Sequence, residues 1–195
     1  MEKIHRLIFI FILVLAIFLR LFMLSQVPPG VNRDEASIGY TAYALNQTGR
    51  DEYGGSFPIS FQSFGDWKLP LYIYTTTLTV RVFGLSEFAV RIPSALFGIA
   101  TVVLTFFLVK TLFNNNRLAL LTMFLVSVAP WHIHLSRVES ESNVAVFFTT
   151  AGVLLFLLSL KRAAWLIIPS LFFFALSYFT YAGNYIFTTL LLAGL

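Results

Sequence analysis

The sequence has no cysteine, which excludes disulfides, thiol catalysis and thiolate metal sites. Only His, Asp and Glu side chains remain to hold a metal. It is also poor in charge: 11% of its 195 residues are Asp, Glu, Lys or Arg, against 58% apolar. Soluble domains carry about a quarter charged residues, so this chain uses lipid as part of its solvent. The thirteen Lys and Arg are scattered singly, and a net charge of +4 without a basic cluster excludes nucleic acid as a partner. There is no internal repeat and no low-complexity segment.

What is present is a series of long apolar runs. Residues 7–24 contain one charge, Arg20, and follow Lys3, His5 and Arg6. Eighteen such residues cross a hydrocarbon core of about 30 Å. Ser25-Gln26-Val27-Pro28-Pro29 offers no Ala-x-Ala cleavage pattern, so the run is read as an uncleaved anchor with a cytoplasmic N-terminus. Residues 25–68 then hold five of the nine acids, Asp34, Glu35, Asp51, Glu52 and Asp66, in a polar excursion on the far side. Within it Asn32 and Glu35 have capping-box spacing, Ile38, Ala42 and Leu45 recur at helical intervals, and Gly49 stops the pattern. This predicts a short amphipathic helix at the membrane interface. Asn46-Gln47-Thr48 matches a glycosylation sequon but falls inside that helix.

Further spans are expected at about 92–113, 118–135, 144–160, 164–181 and 186–195, the last cut short as if the chain were truncated there. The run Leu69 to Leu85 is short, carries four threonines and ends near Arg81, and we read it as lying along the external surface. That reading keeps Lys110, Arg117, Lys161 and Arg162 cytoplasmic and makes 25–91 and 136–142 external loops, followed by an external turn at Ala182-Gly183-Asn184. The fold class is therefore all-α: a polytopic transmembrane helix bundle with a long external loop carrying short interfacial helices.

Four blocks, in order, carry a resemblance: Pro29-Gly30-Val31-Asn32-Arg33-Asp34-Glu35; Gly65-Asp66-Trp67-Lys68-Leu69-Pro70-Leu71-Tyr72; Ala89-Val90-Arg91-Ile92-Pro93-Ser94-Ala95; and Ala129-Pro130-Trp131 with Leu135-Ser136-Arg137 and Glu141-Ser142-Asn143. They resemble the external loops and helix starts of the glycosyltransferase C superfamily, in particular its protein mannosyltransferase and aminoarabinose transferase group. The resemblance spans essentially the whole chain, which would be the N-terminal part of one transferase domain. Leu69 replaces a proline common there, and Asn184 stands near a position often basic. The resemblance implies a membrane glycosyltransferase with a sugar donor on polyprenyl or dolichyl phosphate and a hydroxyl acceptor on protein, lipid or glycan. It implies the bacterial or archaeal plasma membrane, with the active site external.

Such a transfer needs a base for the acceptor proton and cations for the departing phosphate. Asp34, in the first turn of a helix whose dipole favours its ionised form, is the expected base, with Glu35 as its catalytic neighbour. Lys68 and Arg137 are the expected phosphate ligands, a point charge and a bidentate fork. Asp66, Glu141 and His134 are expected contacts to donor or acceptor. Arg20, Arg81 and Arg91 are read as interfacial anchors. His132 and His134 with a carboxylate leave a divalent cation open, but i and i+2 lie on different helix faces, so the metal stays unassigned. A transporter or lipid flippase is the rival reading, although such proteins place ionisable groups within the spans and these spans are almost free of them.

Overall fold

In a computed structural model, residues 3–194 are described. The elements are α1 (Lys3–Leu21), α2 (Arg33–Thr48), β1 (Phe61–Ser63), β2 (Asp66–Lys68), α3 (Pro70–Phe83), α4 (Glu87–Phe113), α5 (Asn116–Val128), α6 (Pro130–Ser136), α7 (Glu141–Lys161), a 3₁₀ turn (Ala164–Leu166), α8 (Ile167–Tyr178) and α9 (Asn184–Gly194). Helices α1, α4 and α7 are each long and apolar enough to cross a bilayer; α5 and α6 are long and apolar enough only together, as a bent pair, and α8 and α9 are shorter apolar helices.

The all-α expectation holds. One core cluster joins Ile12 and Ala16 of α1 to Val102 and Phe106 of α4 and Ala119, Leu120 and Met123 of α5. A second joins Ile38 and Leu45 of α2 to Tyr72 and Ile73 of α3 and Val144 and Phe148 of α7. The outer face of α1 leaves Ile10, Phe11, Val14 and Phe18 exposed, as a lipid-facing surface requires. Where helices approach most closely the residues are small: a Cβ added at Gly98 would sit 2.1 Å from Ser136 Oγ.

The span expected at 118–135 is not continuous. Pro130 has no N–H and drives Ala129 into extended backbone (φ −61°, ψ 119°), so α5 and α6 meet at 61°. The break frees the carbonyls of Val126 and Ser127, and Arg20 supplies the missing donors: Nη2 donates to Val126 O at 3.3 Å and Nη1 to Ser127 O at 3.1 Å. Arg20 is fully buried in the last turn of α1, not snorkelling at an interface as expected, and Nη2 also reaches His132 Nδ1 at 2.7 Å. A guanidinium only donates, so Nδ1 accepts and the ring proton sits on Nε2.

A second internal proline is handled in the same way. Pro93 cannot donate to Ala89 O, and Thr79 Oγ1 of α3 donates to that carbonyl at 2.6 Å, while Tyr72 Oη donates to Val90 O at 2.9 Å. These bonds fasten α3 along the start of α4. At 14 residues α3 is about 21 Å long, too short for a hydrocarbon core of about 30 Å.

The β1–β2 hairpin was not anticipated. Its two-residue loop, Phe64-Gly65, has positive φ at both positions (47° and 85°), the type I′ geometry favoured between twisted strands. Ser37 and Ser63 hydroxyls at 2.7 Å tie the hairpin to α2, and its register carries Lys68 back to the first turn of α2.

Candidate active site

Four segments converge at one end of the bundle: the N-terminus of α2, strand β2, the α6–α7 loop and the first residue of α7. The capping box of α2 forms as its spacing predicts. Asn32 Oδ1 accepts from Glu35 N at 2.8 Å, and Glu35 Oε2 accepts from Asn32 N at 3.1 Å. Glu35 is buried, and Arg91 donates to it from Nε (2.7 Å) and Nη2 (3.0 Å), while Glu139 N–H adds a bond of 3.2 Å. Burial pushes the Glu35 pKa up, but the Arg91, Asn32 and Glu139 hydrogen bonds outweigh it and hold the carboxylate below its usual range. With four donors on two oxygens, Glu35 is an anchor with no acceptor position left for a substrate.

Asp34, one residue earlier, is different. Its side chain is half exposed, Oδ1 accepts from Lys68 Nζ at 2.9 Å, and Oδ2 has no hydrogen-bond partner among the described residues. Lys68 is nearly buried at 12% side-chain exposure, so the ammonium is held inside the site and not in bulk water. Around this pair stand three more carboxylates. Glu139 and Glu141 each keep Oε1 buried without a hydrogen-bond partner among the described residues. Glu139 is raised to about 8, by burial first and the Glu141 charge second, against the pull of Lys68. Asp34, Asp66 and Lys68 are electrostatic neighbours of Glu141. Asp66 itself is exposed, with Oδ1 accepting from Trp67 N at 2.7 Å.

The start of α7 is fixed by Asn143, whose Nδ2 donates to Ser94 O and Oγ at 2.9 and 3.0 Å. The site therefore rests on two spanning helices.

One expected phosphate ligand is engaged elsewhere. Arg137 turns toward the end of α1, where Nη1 donates to Leu19 O (2.8 Å) and Nη2 to Phe22, Met23 and Val27 O (2.7, 3.3 and 3.0 Å). His134 is exposed on α6. Asn184 donates to Thr149 Oγ1 at 3.0 Å and so joins α9 to α7. Arg91, read from sequence as an interfacial anchor, is fully buried and also donates to Leu24, Pro28 and Gly30 carbonyls. The sequence reading gave neither Arg91 nor Glu139 a place in the site. The signals were Glu139-Ser140-Glu141, two acids in a short loop, and an arginine one turn from a helix start. Among the described residues no group of three His, Asp or Glu side chains is placed to hold a metal.

A bundle of apolar helices that gathers carboxylates and a lysine at one end, on loops, has the makings of a membrane-embedded enzyme acting where lipid meets water. The family model for dolichyl-phosphate-mannose-protein mannosyltransferase matches residues 10–195, and the chain belongs to that family. The expected likeness to the glycosyltransferase C superfamily is thereby confirmed, and membership makes the chain a membrane glycosyltransferase in class. No curated protein and no solved structure matches the chain.

Proposed function

We propose that the chain is the N-terminal part of one transferase domain that moves a sugar from a polyprenyl- or dolichyl-phosphate donor to a hydroxyl of a protein, lipid or glycan on the non-cytoplasmic side. The observation that carries this reading is the division of labour between neighbouring acids: Glu35 has every acceptor position filled, while Asp34 keeps one oxygen open and sits on the nearly buried Lys68. Asp34 takes the acceptor proton as the acceptor oxygen bonds to the sugar's anomeric carbon. The bond from that carbon to the phosphate oxygen breaks, and its electron pair stays on the phosphate. A single displacement of this kind inverts the anomeric centre. Lys68 meets the growing phosphate charge, moving from Asp34 to the leaving group.

An apolar groove of about 480 Å³ begins at Ser142, next to Glu141, and continues past Val146, Val153, Phe187 and Leu191. Its chemistry suits an isoprenoid tail. Sidedness is supported by charge: Lys3, Arg6, Lys110, Arg117, Lys161 and Arg162 gather at the opposite end, as the positive-inside rule expects of the cytoplasmic side.

The test is Asp34→Asn in the full-length enzyme, assayed for sugar release from a polyprenyl-phosphate donor. Turnover should fall by about 10²- to 10⁴-fold with donor binding nearly intact. Turnover within a factor of about three of wild type would take Asp34 out of the base role.

A further inference from the structure

At the other end of the two helices that hold the site, the seam between α4 and α7 opens into a cavity of about 420 Å³. The volume falls in the range of roughly 300–1,000 Å³ typical of ligand pockets. Phe107, Leu154 and Leu158 form its apolar wall, and Lys110, Lys161 and Arg162 line it with cations. Among the described residues no carboxylate lines it. Helix α4 is 27 residues long, so Glu87 and Arg91 at its start lie about 25–40 Å away along the helix, and the cavity is separate from the candidate active site.

Two helix C-termini also point here, and each contributes about half a negative charge, which three full positive charges exceed by roughly two. The three cations are not all occupied by those helix ends. Lys161 Nζ donates across the seam to Thr111 O, and Lys110 Nζ stands 5.9 Å from the Phe106 ring centroid. The Arg162 guanidinium has no hydrogen-bond or ion-pair partner among the described residues, although its backbone N–H caps Leu158 O at 2.8 Å. A lysine that merely snorkels extends singly into water. Here cations from two helices share one recess, with an apolar wall running from it toward the bilayer interior.

We propose that this cavity binds the phosphate of an anionic phospholipid, with Arg162 and Lys110 on the phosphate oxygens and the first part of an acyl chain against Phe107, Leu154 and Leu158. A guanidinium can hold two phosphate oxygens at once, and basic recesses between membrane helices suit such headgroups. The bound lipid brackets the ends of α4 and α7 and so steadies the two helices that carry Arg91 and Glu141.

The experiment is native mass spectrometry of the full-length protein exchanged into micelles containing phosphatidylglycerol or phosphatidylcholine, with inorganic phosphate as a third arm. Phosphatidylglycerol should be retained at least about tenfold better than phosphatidylcholine, a difference of about 1.4 kcal/mol. Retention should drop several-fold in Arg162→Gln, stay close to wild type in Lys110→Arg, and be unaffected by excess inorganic phosphate. Arg117→Gln, which removes a charge at the same end but outside the cavity, should change nothing. Arg162 has no protein partner to lose, so its variant should remain folded, as a monodisperse elution profile would verify. The site is overturned if the two lipids are retained alike, if Arg162→Gln keeps the preference, if Arg117→Gln weakens it as much, or if inorganic phosphate displaces the lipid.

Discussion

Two regions at the same end of the bundle handle polar groups in opposite ways. In the turn that follows α1, Arg137 and Arg91 reach seven carbonyls between Leu19 and Gly30, and Arg91 also neutralises Glu35. Beside it, among the described residues, Glu139 and Glu141 each bury an oxygen with no partner, and Lys68 pairs with a single carboxylate. Buried polar groups are normally satisfied, so the first region has the character of a frame and the second that of a place awaiting a ligand. Variants in the frame should act on stability, and variants in the acid cluster on catalysis.

The harshest challenge to that distinction is Arg91→Ala. It leaves Glu35 as a buried charge without its guanidinium and frees the carbonyls of Leu24, Pro28 and Gly30. Breaking a buried pair in this way costs about 3–5 kcal/mol, so thermal unfolding in detergent should shift strongly downward, and activity should fall with it. Arg91→Ala that melts like wild type would show that the frame lies elsewhere.

A sharper contrast comes from Lys68→Ala against Arg137→Ala. Lys68→Ala should lower kcat/KM by about 2–4 kcal/mol, as removal of a transition-state donor does, with little change in melting temperature. Arg137→Ala should do the reverse, since its guanidinium is occupied by four carbonyls; losing such bonds costs about 1–3 kcal/mol of stability. If Arg137→Ala abolishes transfer at unchanged stability, Arg137 leaves its carbonyls to bind phosphate, as its position in the sequence first suggested.

The frame was the harder part to read from sequence. Runs of apolar residues announce α1, α4 and α7 because a bilayer demands one composition along the whole length, and the Asn32–Glu35 spacing announces α2 because a capping box is local. Arg20 and Arg91 looked like interfacial anchors because, in one dimension, each stands near a helix end. What holds them inside is three-dimensional: carbonyls freed by Pro130 and by the end of α1, contributed by segments roughly 60 to 110 residues away in the chain. Pro130 was visible, but not which donor would answer it. Within the site, Asp34 and Lys68 were paired as base and phosphate ligand from their blocks, yet the salt bridge between them depends on a hairpin only three residues per strand, too short for alternation to register. Glu139 stayed in the background for the same reason: its partner Glu35 and its charged neighbours Lys68 and Glu141 stand on α2, β2 and α7.

The smallest effect, and the most specific, concerns the proton on Glu139. Its pKa is raised to about 8 by burial, with the Glu141 charge adding to the shift, while in the unfolded chain it titrates near the ordinary glutamate value of about 4.3. Between those values the folded protein holds a proton that the unfolded chain releases. Stability from this group is therefore complete below about 4.3, declines as pH rises toward 8, and is lost above it. Glu35 works in the opposite direction, since its depressed pKa gives stability present above the unfolded value and lost on acidification. The Glu35 contribution separates by pH window, but Glu141, raised to about 7, titrates beside Glu139, so melting temperatures between pH 6 and pH 9 report on these two acids together. Glu139→Gln mimics the protonated acid and should reduce the decline across that window to the part that Glu141 contributes, whereas Glu52→Gln, in the loop between α2 and β1, should leave it intact. A variant at Glu139 that keeps the wild-type slope would mean that its carboxyl is already ionised and paired at neutral pH. The acid cluster would then be as fully satisfied as the arginine frame beside it.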